Sequence, residues 1–171
     1  MKDYGAIVLI SILLSFVIVG TTLALNENLT LGHFSISFNV SEKATFVKTC
    51  KGPTRIATVD GIGMTSYQCG LRNSTGGLLA FSIGQYDVDR ASKLEPHVSD
   101  NDTKLWLEGL IWKIQTNVTF GSTLRGWSAS SWLNDKTVLI IDGTYPEKEL
   151  DRIRNTLSVK ENGTEIYMVR Q

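Results

Sequence analysis

Between His33 and Val40 the chain reads H-F-S-I-S-F-N-V, with Phe34, Ile36, Phe38 and Val40 on one side and Ser35, Ser37 and Asn39 on the other. Strict alternation predicts a half-buried strand, because successive side chains of an extended backbone point to opposite faces. Thr45 to Lys51, Ile56 to Val59 and Met64 to Leu71 predict further strands, with turn signals at Gly52-Pro53 and Asp60-Gly61. Past the turn Asn73 to Gly77, the residues Leu79, Phe81 and Ile83 mark one side of a strand over Leu78 to Gln85. Asp87 to Asp102 is polar, carries Pro96 and predicts a loop.

Leu107, Leu110, Ile111 and Ile114 then recur at i, i+3, i+4 and i+7, which predicts an amphipathic helix capped by Asp100, Asp102 or Thr103. Trp106 and Trp112 broaden its apolar face. Val118 to Phe120 resumes extended structure, Leu124 to Leu133 predicts a strand, and Asn134-Asp135 a hairpin turn. Thr137 to Asp142, T-V-L-I-I-D, is apolar on both faces and predicts a central strand covered on both sides. A last helix follows: Thr144 and Glu147 form a capping-box pair, Pro146 sits in the first turn, and Leu150, Ile153 and Leu157 line one face. Glu147 and Glu149 near its start and Arg152 and Arg154 further along suit the helix dipole. These elements predict an α+β domain: a single, mostly antiparallel sheet of six to eight strands covered by two amphipathic helices.

The N-terminal segment is of another kind. Gly5 to Leu25 carries no charge, and a helix of that length spans about 30 Å, the thickness of a bilayer core. It reads as a retained signal anchor or as a cleaved signal peptide with Thr22 and Ala24 before the cut. Both place the C-terminal part outside the membrane, with the short tail bearing Lys2 in the cytoplasm. The expected organisation is therefore residues 1–25 as a transmembrane anchor or signal, 26–32 as a short linker, and 33–171 as one extracytoplasmic domain.

Six of the nine asparagines support that address: Asn28, Asn39, Asn73, Asn101, Asn117 and Asn162 all stand in N-x-[ST] glycosylation patterns. Cys50 and Cys69 are the only cysteines, and in an oxidising exterior they are expected to form a disulfide. Seventeen basic residues balance seventeen acidic ones, without the basic stripe that a nucleic-acid reader gathers, so nucleic acid is not an expected partner.

Chemistry-bearing residues are sparse. Asp87, Asp89, Glu95, Asp100 and Asp102 are oxygen donors in one loop and weak candidates for a Ca²⁺ site; their spacing matches no EF-hand, and a solvated loop with a helix N-terminus rich in capping acids is the preferred account of the same residues. His33 and His97 lie far from each other and from either cysteine, so no catalytic residue and no cofactor is expected. There is no G-x-S-x-G elbow, and Gly61-Ile62-Gly63 lacks the third glycine of a dinucleotide loop. Trp106, Trp112, Trp127 and Trp132 crowd the region from the expected helix to the last hairpin; Trp127 and Trp132 are the candidates for a binding surface, since exposed tryptophan marks many contact sites.

The order F-S-I-S-F-N-V, a Gly-containing meander, L-L-A-F-S-I-G-Q-Y, a helix, and K-T-V-L-I-I-D-G-T-Y-P-E-K-E-L-D-R-I-R-N-T-L resembles small secreted or anchored archaeal surface proteins of unassigned function. In element order it is also similar to the PsbP/Mog1-like α/β fold. The resemblance spans most of residues 32–159, implies a binding or accessory module, and supplies no catalytic residues. The expected function is a membrane-anchored extracytoplasmic domain with a non-enzymatic interaction or structural role, its partner an envelope protein or glycan. The alternatives are a ligand- or metal-binding sensor or accessory subunit and, third, a hydrolase.

Overall fold

The computed structural model describes residues 25–41, 47–57, 61–73, 77–89, 103–121, 123–144 and 147–170. Eleven strands and one helix occur among them: β1 (Leu25–Leu31), β2 (Phe34–Val40), β3 (Val47–Ala57), β4 (Gly63–Arg72), β5 (Leu78–Tyr86), β6 (Thr103–Leu107), β7 (Leu110–Phe120), β8 (Leu124–Trp132), β9 (Thr137–Gly143), α1 (Glu147–Arg154), β10 (Ser158–Glu161) and β11 (Thr164–Met168). The strands form a four-stranded sheet, β1-β2-β10-β11, and a seven-stranded sheet, β3-β4-β5-β9-β8-β7-β6. Every pairing is antiparallel.

The architecture is thus a β-sandwich, and the expected α+β fold of one sheet under two helices is overturned. The first expected helix is the β6–β7 hairpin. Leu107 pairs with Leu110, and Glu108 and Gly109 between them both adopt positive φ (46° and 78°), as a two-residue hairpin turn with the favoured twist requires. Because a two-residue turn leaves its flanking residues on the same face, Leu107, Leu110, Trp112 and Ile114 share one side, imitating helical spacing. Burial separates the two readings: Trp112 is fully buried, whereas Ile111, which a helix would turn inward, is 52 % exposed.

Other expectations need smaller corrections. Residues 26–32, read as a linker, carry β1, in which Leu29 and Leu31 enter the core. Gly52-Pro53 does not separate two strands; it is an irregularity within β3, whose pairing with β4 resumes at Thr54↔Ser66. β9 is central, between β5 and β8, but only its Leu139 and Ile141 face is fully covered, and Val138, Ile140 and Asp142 are half-buried on the outside. The β10–β11 hairpin turns on Asn162-Gly163, both at positive φ (49° and 81°); Asn-Gly between two strands is a strong hairpin signal.

α1 forms as its apolar spacing predicts, burying Leu150 and Ile153, with Leu157 just beyond it also buried. It carries the chain from the seven-stranded sheet to the four-stranded one, and Glu149 Oε2 accepts the Ser41 backbone N–H (3.1 Å) at the end of β2. Pro146 of the expected first turn lies outside the described residues; the Thr144 hydroxyl accepts the Leu78 N–H (2.9 Å).

The inner faces of both sheets meet in one core, in which Phe38 of β2 stacks on Phe81 of β5 with ring centroids 4.5 Å apart. Cys50 and Cys69 form a disulfide between directly paired positions of β3 and β4. No described helix is long and apolar enough to cross a membrane; residues 5–24 of the expected span lie outside the described residues, and Leu25 opens β1.

The two ends of the sandwich differ. Leu25 pairs with Val40, next to Ser41 and α1, and α1 follows the last residue of β9. At the opposite end lie the β6–β7 and β8–β9 turns, the start of β9 and the end of β5.

Candidate interaction surface

On the outer face of the seven-stranded sheet, near the end remote from Leu25, apolar side chains form a row across the strands. A Cβ on Gly84 would stand 2.6 Å from Met64 Sδ and 3.2 Å from Val138 Cγ1. The glycine therefore lets Met64 of β4 cross β5 toward Val138 of β9. Val138 pairs with Trp132, whose ring packs on Tyr86 (centroids 5.3 Å apart). Beyond Trp132 comes the start of β7, held by a hydrogen bond from Ser131 Oγ to Ile111 O (3.0 Å). Ile111 pairs with Trp106 on β6.

The row becomes more exposed along its length. Trp132 is 9 % exposed, Ile111 52 % and Trp106 68 %. Lys104 and Lys113, themselves directly paired, flank Trp106 and Ile111 in the next row on the same face. Further along β8 and β9 that face carries Ser130 and then the Ser128–Asp142 pair.

Of the two tryptophans favoured from sequence, Trp127 is 3 % exposed and packs against Gly143, so both it and Trp132 are buried. Among the four tryptophans the exposed one is Trp106. No sequence signal ranked it above the others, because its face depends on the hairpin that was read as a helix.

A polar cluster lies between the sheets at the same end. His33 Nε2 is 3.2 Å from Glu161 Oε1, which also accepts a hydrogen bond from Gln85 Nε2 (3.0 Å), and the Tyr67 hydroxyl is 3.4 Å from His33 Nδ1. The His33 ring also lies against Phe34 and edge-on to Tyr67. An open cleft of about 330 Å³ beside it is bordered by Gln85, Asn134, Lys136 and Glu161. Since His33 and Glu161 belong to one sheet and Gln85 and Tyr67 to the other, these contacts tie the sheets together.

Of the candidate cation ligands, Asp87 and Asp89 are among the described residues, and each faces a basic side chain. The Asp87 carboxylate pairs with the Arg55 guanidinium, and Asp89 Oδ1 lies 3.4 Å from Lys136 Nζ. Among the described residues no group of three or more His, Cys, Asp or Glu is placed to hold a metal. Glu95, His97, Asp100, Asn101 and Asp102 lie outside the described residues.

The Asp142 carboxyl stands beside Ser128 on the outer face of the seven-stranded sheet. Burial pushes its pKa up, and the hydrogen bond from Ser128 opposes part of that rise. A carboxyl harder to ionise in the folded state than in the unfolded chain favours folding most below its ordinary pKa, and that contribution is lost as pH rises through the folded value. Asp142→Asn is expected to raise the melting temperature at neutral pH. It should also remove the part of the stability decline that begins just above the usual aspartate range, measured by thermal unfolding across pH.

The sequons divide by surface. Asn28 and Asn39 share the outer face of the four-stranded sheet, where the residue inside each sequon, Leu29 or Val40, points into the core. That face also bears a shallow groove of about 580 Å³ across β10 and β11. Asn117 is exposed at a bulge in β7, and Asn162 is exposed in the β10–β11 turn. Asn73 is 6 % exposed, and its Oδ1 accepts the Gly77 N–H (2.6 Å). None of these described sequons lies in the row from Met64 to Trp106.

No family model, curated protein or solved structure matches the chain.

Proposed function

We propose that the chain is a non-enzymatic interaction domain displayed on the outer side of a membrane, held there by the apolar segment before Leu25. Its contact surface is the exposed end of the apolar row, Trp106 and Ile111. The observation that carries this reading is the adjacency of those two large apolar side chains on an outer sheet face, in a row that none of the described sequons enters. Exposed apolar surface continuous with a packed row is the usual character of a contact site, and tryptophan is over-represented where binding energy concentrates. The sequons on the other sheet's outer face suit a glycan-bearing side directed away from the partner. The end remote from Leu25 is also the end an anchored domain would present outward.

The test is cross-linking and capture of the full-length protein from its native membrane, comparing the natural chain with Trp106→Ala. The variant is expected to keep its stability within about 0.5 kcal/mol, as for most surface substitutions. It should recover at least about tenfold less of whatever partner the natural chain captures, equivalent to about 1.4 kcal/mol. Equal recovery by the two chains would overturn the reading.

A further inference from the structure

Among the described residues, β6 stands at the edge of the seven-stranded sheet and pairs with β7 alone. Its sequence is that of an interior strand: after Lys104 come Leu105, Trp106 and Leu107, apolar on both faces. Leu105 and Leu107 face inward but are only half-buried. The four-stranded sheet ends at β11, whose Tyr167 meets Trp112 on β7, one strand short of β6. Trp106 occupies the other face, 68 % exposed.

Sheet edges are ordinarily protected by charge, proline or irregular pairing, because an open edge recruits another strand. The opposite edge of this sheet has such protection: β3 carries Lys48, Lys51, Pro53 and Arg55 and breaks register between Lys51 and Thr54. β1, an edge of the other sheet, has the Asn28 sequon, and Lys48 Nζ donates to Asn28 O (3.1 Å). β6 combines an open edge with an apolar side chain at three of its five positions.

We infer that β6 pairs antiparallel with β6 of a second copy of this chain. The strand is complementary to itself in that arrangement. A twofold axis at Leu105 sets Lys104 of each copy directly across from Trp106 of the other, giving two ammonium–indole contacts. Leu105 faces its own equivalent on the inner side. Parallel pairing in register would instead set lysine beside lysine, which is unfavourable across strands. Antiparallel pairing also turns one copy end over end, so the two Leu25 ends leave in opposite directions. Copies paired in this way suit facing membranes.

The inference rests on the reading of Trp106 as a contact residue, and the experiment separates the two. In the full-length protein, mild oxidation is expected to link Leu105→Cys to itself as a covalent dimer. Lys104→Cys and Trp106→Cys should each link to themselves poorly, but should cross-link when the two variants are mixed. Leu105→Lys, which places two like charges at the axis, should sediment as a monomer under conditions where the natural chain sediments as a dimer. Trp106→Ala should weaken dimerisation about tenfold. A monomeric natural chain, or linking of the three cysteine variants without regard to register, overturns the self-pairing. If the natural membrane still yields a different protein whose capture depends on Trp106, self-pairing fails while the contact surface stands; if capture is equally indifferent to Trp106, both fail.

Discussion

Phe81→Ala should lower the unfolding free energy by about 3–5 kcal/mol, the usual loss when a buried phenylalanine is truncated in a core that cannot fully collapse around the cavity. Phe81 is fully buried on β5, an interior strand, and its ring stacks on Phe38 from the opposite sheet. The substitution therefore removes both apolar burial and a direct inter-sheet contact. Urea unfolding should show a lower midpoint with the slope preserved, because the surface exposed on unfolding hardly changes. Phe38→Ala should act similarly. The double variant should cost less than the sum of the two, since they share one contact. A loss below about 1 kcal/mol for either single variant, within the range of an ordinary surface change, would show that the sheets are not held together at this point.

Reduction of Cys50–Cys69 should cost about 3 kcal/mol, because the bridge closes a loop with a sequence separation of 19 and the unfolded chain regains that freedom. The local effect should be uneven. Every residue of β3 is exposed, so the strand has little apolar burial of its own, and its attachment consists of the ladder to β4, the disulfide and the surface contacts of Lys48 and Arg55. Hydrogen exchange should therefore accelerate in β3 on reduction while β5 and β9, which bury Phe81, Ile83, Leu139 and Ile141, remain protected. Equal acceleration in all three strands would mean that β3 opens only with the whole domain.

The contrast between β3 and β5 also explains how the sequence could be read. F-S-I-S-F-N-V and L-L-A-F-S-I announce β2 and β5 because alternation records which side of a strand is buried. It does not record what lies opposite. An apolar sheet face can be covered by helices or by a second sheet, and the choice of helices rested on Leu107, Leu110, Ile111 and Ile114. Once Glu108-Gly109 is a turn, only the short α1 is left of that helical layer and the second sheet is required. β1, β10 and β11 supply it together with β2, and those three were missed. β1 was masked by its nearness to the apolar N-terminal segment, and Asn162-Gly163 drew notice only as part of a sequon. The same hairpin governs the surface: with helical spacing Ile111 belongs inside, whereas with strand spacing it lies outside beside Trp106. The disulfide was legible because two cysteines leave a single possible pairing.

The pairing of β1 with β2 has a mechanical consequence. Seven residues of β1 are in register with β2, from Leu25↔Val40 to Leu31↔Phe34. If the domain hangs from its N-terminal segment while a partner holds the far end, tension enters at Leu25 and runs along the axis of β1. Separation then requires β1 to slide past β2, so all seven pairs resist together instead of parting one after another from the end. The strand nearest the membrane would serve as a shear clamp, and the domain would withstand pulling along its length far better than peeling from its side.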